Sequence, residues 1–496
     1  MAKTQKQIHE PLDAALKLTA TAVVLGTIMS ILDTTIVVVA LHDLQKAFGA
    51  SLATIQWVTT GYLLALALVI PLSGWAVDRF GARRSWLVAL SLFIFGSALC
   101  GMAWSAESLI IFRLVQGLGG GMIMPIGQTI IARAAGPARM GRVMGIIGVP
   151  SVLGPVLGPV LGGLIVTYAS WRLIFWVNIP IGIIAILIAL KALPKGEENH
   201  AHKLDTVGLA LISPGLAALV YGLSEVGTNG QTFTTPKIVA LLLGGGVLLV
   251  AFCLWALRTS TPLLDLRLFR HRTFSIASIC IFLMGAALYG GLFLMPFYYQ
   301  VVRGQSALVA GLLMCPQGLG AMAVMRWSGS FADRRGARAV VPLGSAIIVV
   351  GTLPFTFLTD HTSYFFLAVA MVVRGVGMGM SMMPLTAASY RGLAHSDVPR
   401  ATTTTSILRQ IGGSVATAVL AVLLQQQFDH AGSPSSPGWS ATIAHGFAST
   451  FWWAIGASIL AVIPTFFLPA HTERGSTWDQ NPKESSLELA LEEPTS

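Results

Sequence analysis

Two charged residues, Asp33 and Arg113, lie within long apolar stretches of the sequence. A charged side chain in the middle of a hydrocarbon layer costs roughly 2.5–3.5 kcal/mol, so such residues usually face an internal cavity and serve a transport pathway. Burial away from water favours the protonated form of a carboxyl group. Asp33 is therefore predicted to bind and release a proton, with a cationic substrate favouring its ionised form. The alternative is a structural ion pair with a neighbouring helix.

Arg113 carries a permanent charge, because its guanidinium group does not deprotonate in proteins. Gln116 and Gly117 follow it one helical turn later, which places them on the same side of a helix. Close to Asp33, this cation would oppose protonation and help to release the proton when access changes. The alternative is that Arg113 only clamps backbone carbonyl groups between helices.

Apolar stretches recur along almost the whole chain of 496 residues, of which 54% are hydrophobic and 10% are charged. Soluble domains contain about 25% charged residues, whereas a helix of about 20 apolar residues crosses a hydrocarbon core of about 30 Å. The stretches are too long, and alternate too little, for the strands of a membrane barrel. The sequence therefore predicts an all-α integral membrane protein with fourteen transmembrane helices. Their predicted bounds are 18–41, 55–76, 85–105, 107–130, 143–166, 173–193, 206–226, 237–257, 273–295, 306–327, 340–360, 364–388, 402–426 and 444–467.

Basic residues are distributed unevenly among the predicted connecting segments. With the N-terminus inside, the outer loops hold only Lys46, Arg172, Lys237 and Arg303, while three arginines lie within spans and every other basic residue is cytoplasmic. This excess orients membrane proteins, so we expect a multi-pass protein of the bacterial cytoplasmic (inner) membrane with both termini cytoplasmic. Topology and contact with anionic membrane lipid account for the net charge of +10 without nucleic acid as a partner.

One charged loop occurs twice, as GWAVDRFGAR at Gly74–Arg83 and as GSFADRRGAR at Gly329–Arg338. Each copy lies between two apolar stretches, which indicates two homologous helical bundles. The loops are predicted to latch the cytoplasmic face, unless their arginines only set the orientation. The residues of this predicted cytoplasmic gate are Gly74, Asp78, Arg79, Gly81, Arg83, Asp333 and Arg334.

The repeat also divides the chain. The predicted units are an N-terminal bundle (1–193), two inserted helices with flanking linkers (194–272), a C-terminal bundle (273–470) and a polar cytoplasmic tail (471–496). Four cysteines fall within spans without disulfide or metal spacing, and neither a P-loop nor an H-E-x-x-H motif is present. The sequence therefore predicts no catalytic residues, metal or cofactor. With the proton binding predicted for Asp33, we expect the proton gradient to drive the protein instead.

Five motifs together resemble the major facilitator superfamily, and within it the fourteen-helix drug:proton antiporters of the EmrB/QacA type. They are LDTTIV at Leu32–Val37, GWAVDRFGARR at Gly74–Arg84, RLVQG at Arg113–Gly117, GPVLGPVLGG at Gly154–Gly163 and WRLIFWVNIPIG at Trp171–Gly182. The resemblance covers about residues 18 to 467. It implies two six-helix bundles with two inserted helices, and proton transfer by the motif of Arg113. The chain departs from the pattern at Val38 and His42, where the family usually has Asn and Pro.

The Gly-Pro motif marks exporters within that family. Small residues let helices approach closely, and proline weakens a helix and allows a kink. We expect this helix to pack between the bundles, seal the cavity and bias its access; the alternative is ordinary packing of small residues. The residues are Gly148, Gly154, Pro155, Gly158, Pro159, Gly162 and Gly163.

Aromatic and methionine side chains are candidates for the lining of an apolar substrate cavity, since aromatic faces bind cations and methionine adapts to varied shapes. The same residue types also fill helix interfaces and the aromatic belts of membrane proteins. Glu225 and Asp360, at the outer ends of their spans, are candidates for a second acidic site. The candidate cavity residues are Trp57, Tyr62, Gln116, Tyr298 and Met314.

These features predict a proton-coupled multidrug efflux transporter that exports hydrophobic and often cationic compounds by alternating access in exchange for protons. An exporter of an endogenous metabolite, lipid, siderophore or self-made antibiotic would share this architecture. A receptor or sensor without transport is a third hypothesis. We expect a monomer, and the short outer loops show no docking site for a periplasmic adaptor.

Overall fold

A computed structural model describes residues 14–193, 203–226, 232–394, 396–431 and 438–468. The predicted polar tail and most of the first linker lie outside the described residues, as do the side chains of Pro155 and Pro159. All regular elements of the described part are helical. The α-helices are α1 (Ala14–Phe48), α2 (Leu52–Val69), α3 (Leu72–Phe80), α4 (Ala82–Gly101), α5 (Ala106–Tyr168), α6 (Leu173–Trp176), α7 (Asn178–Ala192), α8 (Thr206–Glu225), α9 (Pro236–Arg258), α10 (Arg272–Val301), α11 (Ala307–Arg335), α12 (Val341–Thr352), α13 (Tyr364–Tyr390), α14 (Val398–Ala431) and α15 (Trp439–Thr465). Three short 3₁₀ turns, Leu266–Arg270, Ala337–Ala339 and Leu353–Phe357, connect them.

Twelve helices of the described part are long and apolar enough to cross a membrane, or thirteen if one bent pair counts as a single span. The bent pair is α2 and α3, whose axes differ by 53°. Pro71 stands between them, and proline cannot supply the backbone N–H that a continuous helix needs. The prediction of an all-helical, multi-pass membrane protein is therefore confirmed, whereas the count of fourteen spans is not.

The fifth predicted span, 143–166, lies in the second half of α5. In the first half, Arg113 contacts Asp33 and Gly127 approaches Val23, so this half runs opposite to α1. In the second half, Gly154 approaches Ile31 and Gly162 approaches Ile36, so this half runs parallel to α1. The chain therefore reverses its direction within α5, as two antiparallel spans would.

The helices form two bundles that face each other. In the N-terminal half, α5 packs against α1, α2 and α4, and α1 packs against α7; in the C-terminal half, α13 packs against α11 and α12, and α10 packs against α14 and α15. The second half of α5 meets α11 across the interface, because Gly145 approaches Met325 and Gly163 approaches Leu308. The predicted unit boundaries at residues 193 and 272 stay predictions.

The predicted Gly-Pro helix forms a tight seam with α1. A Cβ atom added at Gly158 would lie 2.6 Å from the Cβ of Thr35, and one at Gly154 would lie 2.9 Å from the Cβ of Ile31. Gly148 faces Met325 and Met383 of the other half instead, where an added Cβ would lie 2.6 Å from the Cε of Met325. Glycine is therefore required along this helix, because α1 on one side and methionines of the other half on the other side approach its backbone closely.

We predict that Gly158→Ala lowers the free energy of unfolding by about 1–3 kcal/mol, because overpacking forces the two helices apart. Thermal unfolding of the detergent-solubilised protein, followed by tryptophan fluorescence, measures this effect. The matched control is Gly246→Ala on α9, where an added Cβ meets no atom within 4 Å. Equal unfolding temperatures for the two variants would contradict the assigned seam.

Candidate functional site

A network of buried polar groups surrounds Asp33 in the N-terminal half. Arg113 forms an ion pair through Nη1 with Oδ2 of Asp33, and both side chains are completely buried. Oδ1 of Asp33 accepts hydrogen bonds from Nε2 of Gln116 at 2.9 Å and from Nδ2 of Asn178 at 3.0 Å. Arg113 also donates to Oε1 of Gln116 at 2.8 Å and, through Nε, to the carbonyl oxygen of Val58 at 3.1 Å. We call Asp33, Arg113, Gln116 and Asn178 the charge network.

Four helices supply these groups: α1 carries Asp33, α5 carries Arg113 and Gln116, α7 carries Asn178, and α2 supplies the carbonyl group. The ring of Tyr62 lies under the guanidinium group, with its centroid 3.9 Å from Cζ of Arg113. Gly117 permits this approach, because an added Cβ would lie 2.8 Å from the carbonyl oxygen of Tyr62. The Gly that follows Gln116 in the sequence thus allows α5 to contact α2 closely.

Asn178 is a functional candidate that was not singled out from the sequence. It lies within the WRLIFWVNIPIG motif, and its amide nitrogen also contacts Oγ of Ser97 at 3.0 Å. The signal that could have identified Asn178 is an amide in an otherwise apolar stretch, which needs buried partners. Ser97 carries no comparable signal, because single serines are common in transmembrane helices.

An uncharged cavity of about 690 Å³ lies between the two halves, in the size range of small-molecule sites. It begins beside the charge network, since Thr34 directly follows Asp33. Among its described lining residues there is no Asp, Glu, Lys, Arg or His, and the lining is mainly apolar. The lining residues are Thr34, Leu63, Val220, Leu223, Ser224, Val226, Tyr289, Phe293, Phe297, Gln410, Gly413, Ser414, Thr417, Ala418, Ala421, Leu424, Gln425 and Phe428.

The five candidate cavity residues lie elsewhere. Tyr62 and Gln116 are buried beside Asp33 and Arg113. Tyr298 and Met314 are buried in an apolar cluster of the C-terminal half, where the hydroxyl group of Tyr298 donates to the carbonyl oxygen of Thr359 at 2.5 Å. Trp57 packs against Tyr221, with ring centroids 5.4 Å apart. None of the five is among the described lining residues of the cavity.

The first charged loop joins the two halves at one end of the molecule. Oδ2 of Asp78 lies 3.5 Å from Nε of Arg400, which belongs to α14. We call this end, which also holds Arg79 and Arg335, the basic end. At the neighbouring Gly74, α3 lies against α14, and an added Cβ would lie 3.3 Å from Oγ1 of Thr403.

Hydroxyl groups extend the contact at the basic end. Oγ of Ser73 lies 2.9 Å from Oγ1 of Thr403, and Oγ1 of Thr129 lies 2.7 Å from Oγ1 of Thr402. A further bond joins the hydroxyl group of Tyr390 to the side chain of Gln128, at 3.2 Å. The two halves are therefore closed against each other at the basic end.

The ion pair described for the second charged loop lies within its own half. Oδ1 of Asp333 lies 2.8 Å from Nη2 of Arg391, which follows α13. The two loops nevertheless share their backbone form: Gly81 has φ +79° and ψ 152°, and Gly336 has φ +84° and ψ 159°. Only glycine adopts this region readily, which explains why glycine occupies the same position in both copies.

Other predicted gate residues take supporting positions. Nη2 of Arg83 donates to the carbonyl oxygen of Leu190 at 2.7 Å, which ties α4 to α7 in the N-terminal half. Arg79 lies in the last turn of α3, and Arg334 lies exposed in the last turn of α11.

The two candidate second acidic residues pair locally and are not among the described lining residues, although Glu225 lies between Ser224 and Val226, which line the cavity. Glu225 lies 3.1 Å from Nζ of Lys237, and Asp360 lies 3.4 Å from Nε2 of the exposed His361. Within the described ranges no group of three or more His, Cys, Asp or Glu side chains could hold a metal ion.

Two helical bundles, an ion pair buried between helices and a cavity at the bundle interface are typical of a membrane transporter. The sequence matches the Major Facilitator Superfamily over residues 23–417. The chain belongs to this superfamily, which contains transporters rather than enzymes, and the predicted resemblance is confirmed.

Relatives and solved structures agree with this assignment. The chain is 40% identical to the "Multidrug resistance protein B homolog" of Mycobacterium tuberculosis, over 86% of this chain and 79% of that protein. It is 33% identical to the "Multidrug export protein EmrB" of Haemophilus influenzae, over 84% of this chain and 82% of that protein. The fold is similar to the proton:xylose symporter XylE, with a TM-score of 0.62, 14% identity and coverage of 92% and 97% of the two chains. The human organic anion transporter MFSD10 is also similar, with a TM-score of 0.60, 17% identity and coverage of 91% and 99%.

We predict that Asp33→Asn lowers the free energy of unfolding by about 3 kcal/mol, because it leaves the buried guanidinium group of Arg113 without a counter-charge. Arg113→Gln should lower it similarly, by leaving the carboxylate without a partner. The double variant should lose less unfolding free energy than the two single variants lose together. Thermal unfolding of all three variants gives the coupling between the two sites, and strictly additive effects would contradict the ion pair.

A second prediction concerns the contact between Asp78 and Arg400. Asp78→Asn should open the basic end. A partly buried ion pair stabilises the closed form by about 1 kcal/mol, so its loss shifts the equilibrium between closed and open forms by about fivefold. A hydrophilic maleimide should then label Ala401→Cys about fivefold faster, in a chain whose exposed Cys253 is replaced by Ser. Asp333→Asn is the matched control, because its pair lies within one half. Equal labelling in both variants would rule out the latch.

Proposed function

We propose that this chain is a proton-coupled exporter of hydrophobic, often cationic, drug-like compounds, which it exchanges for protons by alternating access. The observation that carries the proposal is a buried carboxylate beside an uncharged cavity: Asp33 belongs to the charge network, and Thr34 lines the cavity. The relatives named for drug resistance and drug export support the choice of cargo.

Proton binding would act on the charge network directly. Asp33 accepts three hydrogen bonds, from Arg113, Gln116 and Asn178. A proton on this carboxyl group would remove the charge that Arg113 pairs with and would occupy one of the acceptor sites. The contact that the four helices share would then lose its ion pair and be weakened. Coupling is thus a change in helix packing rather than a property of one residue alone.

Substrate would bind in the cavity without contacting Asp33. The lining offers aromatic rings, including Tyr289, Phe293 and Phe297, and aromatic faces attract cations. Competition between substrate and proton is therefore indirect and passes through α1, which carries both Asp33 and Thr34.

The distribution of basic residues supports a cytoplasmic position for the basic end. In this orientation the contact between Asp78 and Arg400 closes the cytoplasmic side, and the cavity lies toward the opposite side. One proton that enters down a potential of 100 mV releases about 2.3 kcal/mol, and the pH gradient adds to this. We infer a monomer in the bacterial cytoplasmic membrane that needs no cofactor, with small-molecule substrates, protons and membrane lipid as its partners.

The test uses purified protein in liposomes under an imposed pH gradient, with ethidium and proton movement recorded together. Wild type should move ethidium against its gradient with protons flowing in the opposite direction. Asp33→Asn should still bind ethidium but lose coupled movement, because it cannot exchange a proton. Asp360→Asn is the control for removal of a carboxylate and should keep coupling. Full coupling in Asp33→Asn would overturn its role, and a wild type that moves neither dye nor protons would favour an endogenous cargo.

A further inference from the structure

The inserted helix α8 contacts both halves of the transporter. On one side, Oγ of Ser213 donates to the carbonyl oxygen of Leu68 in α2, at 2.6 Å. On the other side, Leu223 and Val226 pack with Ala418 of α14 in one apolar cluster. A helix that only padded the lipid face would contact a single half.

The last two turns of α8 also border the cavity. Val220, Leu223, Ser224 and Val226 line it together with Thr34 and Leu63 of the N-terminal half. The aromatic residues of α10 and a row of small and polar residues of α14 complete the lining. The cavity therefore has three walls, of which one comes from each half and one from the inserted helix.

Several contacts hold this third wall in place. The ring of Tyr221 packs against Trp57 of α2, and its hydroxyl oxygen accepts a hydrogen bond from Nζ of Lys237 in α9 at 2.9 Å. Nζ of Lys237 also pairs with Glu225 at the end of α8. Pro214 lies earlier in the same helix and removes one helical hydrogen bond there, which partly uncouples the wall from the first turns of α8.

We propose that the C-terminal turns of α8 form a wall of the substrate site and set the size of the compounds that it accepts. This inference rests on the proposed transport function and deepens it. The chemistry of the lining selects flat, apolar, multi-ring compounds that are neutral or carry one positive charge. Four aromatic side chains supply stacking surfaces, the hydroxyl group of Ser224 supplies a polar contact, and the described lining offers no carboxylate to pair with a second positive charge.

The first experiment fills the space beside this wall. Ser224→Trp should narrow the cavity, and Val247→Trp is the matched control, because Val247 lies on α9, is 67% exposed and does not line the cavity. The probes are ethidium, which is large, and N-methylquinolinium, which is smaller and carries the same charge. Equilibrium binding to the purified full-length protein and efflux from liposomes are both measured.

We expect Ser224→Trp to weaken ethidium binding by about tenfold or more, as lost space in an apolar pocket does, and to change binding of the smaller probe much less. Val247→Trp should change neither. If Ser224→Trp matches Val247→Trp with both probes, α8 is not a wall of the site. If wild type itself neither binds nor moves either probe, the proposed transport function fails, and the inference falls with it.

A second experiment avoids any bulky substitution. Ser224→Cys and Val247→Cys are each labelled with a maleimide, in a chain whose exposed Cys253 is replaced by Ser. Saturating ethidium should slow labelling of Ser224→Cys by about tenfold and leave Val247→Cys unchanged, because bound ligand covers only the cavity wall. Labelling of Ser224→Cys at the same rate with and without ethidium would overturn the inference.

Discussion

The ion pair between Asp33 and Arg113 is the interaction on which the N-terminal half depends. Removing two charges from water is expensive, and only good geometry with further hydrogen bonds offsets this cost. The surroundings supply most of these partners: an amide on each of two helices contacts the carboxylate, a carbonyl group accepts from the guanidinium, and the ring of Tyr62 covers it. Only Nη2 of Arg113 lacks a hydrogen-bond partner among the described atoms of this guanidinium group. Four helices are fixed relative to each other by these contacts, so a change of charge at Asp33 acts on the whole half.

The C-terminal half repeats the architecture without repeating the charge pair. Arg374 of α13 is buried and donates to Oε1 of Gln317 at 2.6 Å and to the carbonyl oxygen of Ala287 at 2.7 Å. Gly291 leaves room for it, since an added Cβ would lie 2.5 Å from Cζ of Arg374. Among the described residues no carboxylate pairs with Arg374, so a proton has no equivalent acidic group to bind in that half. The two halves therefore share their helix packing, but of the two arginines, Arg113 and Arg374, only Arg113 pairs with a carboxylate among the described residues.

The sequence predicted the features that a local pattern can encode. Apolar length predicted most spans, the repeated loop predicted two bundles, and two charges inside apolar stretches predicted a buried site at Asp33 and Arg113. The cavity was not predictable in the same way. Its lining includes Ser414, Thr417 and Ala421, which are ordinary residues of an apolar helix, whereas Tyr298 and Met314 were selected by residue type and lie in helix cores. A helix that is apolar on all sides has no periodic signal for the side that faces a cavity. The contribution of the inserted helix α8 to the cavity lining likewise depends on which helices it contacts, and these contacts could not be predicted from the sequence.

Three consecutive residues of α1 connect the main features of the protein. Successive residues of a helix point about 100° apart, so a single turn reaches three different neighbours. Asp33 faces the charge network, Thr34 lines the cavity, and Oγ1 of Thr35 contacts the carbonyl oxygen of Gly154 at 3.3 Å, in the glycine seam with α5. Because the backbone joins these residues rigidly, α1 cannot rotate or shift at one of them without moving the other two. The close packing at Gly158 leaves little free space for such a shift, so α1 and α5 must move together. Since α5 also packs against α11 of the opposite half, a change at Asp33 has a direct structural route to the interface between the bundles.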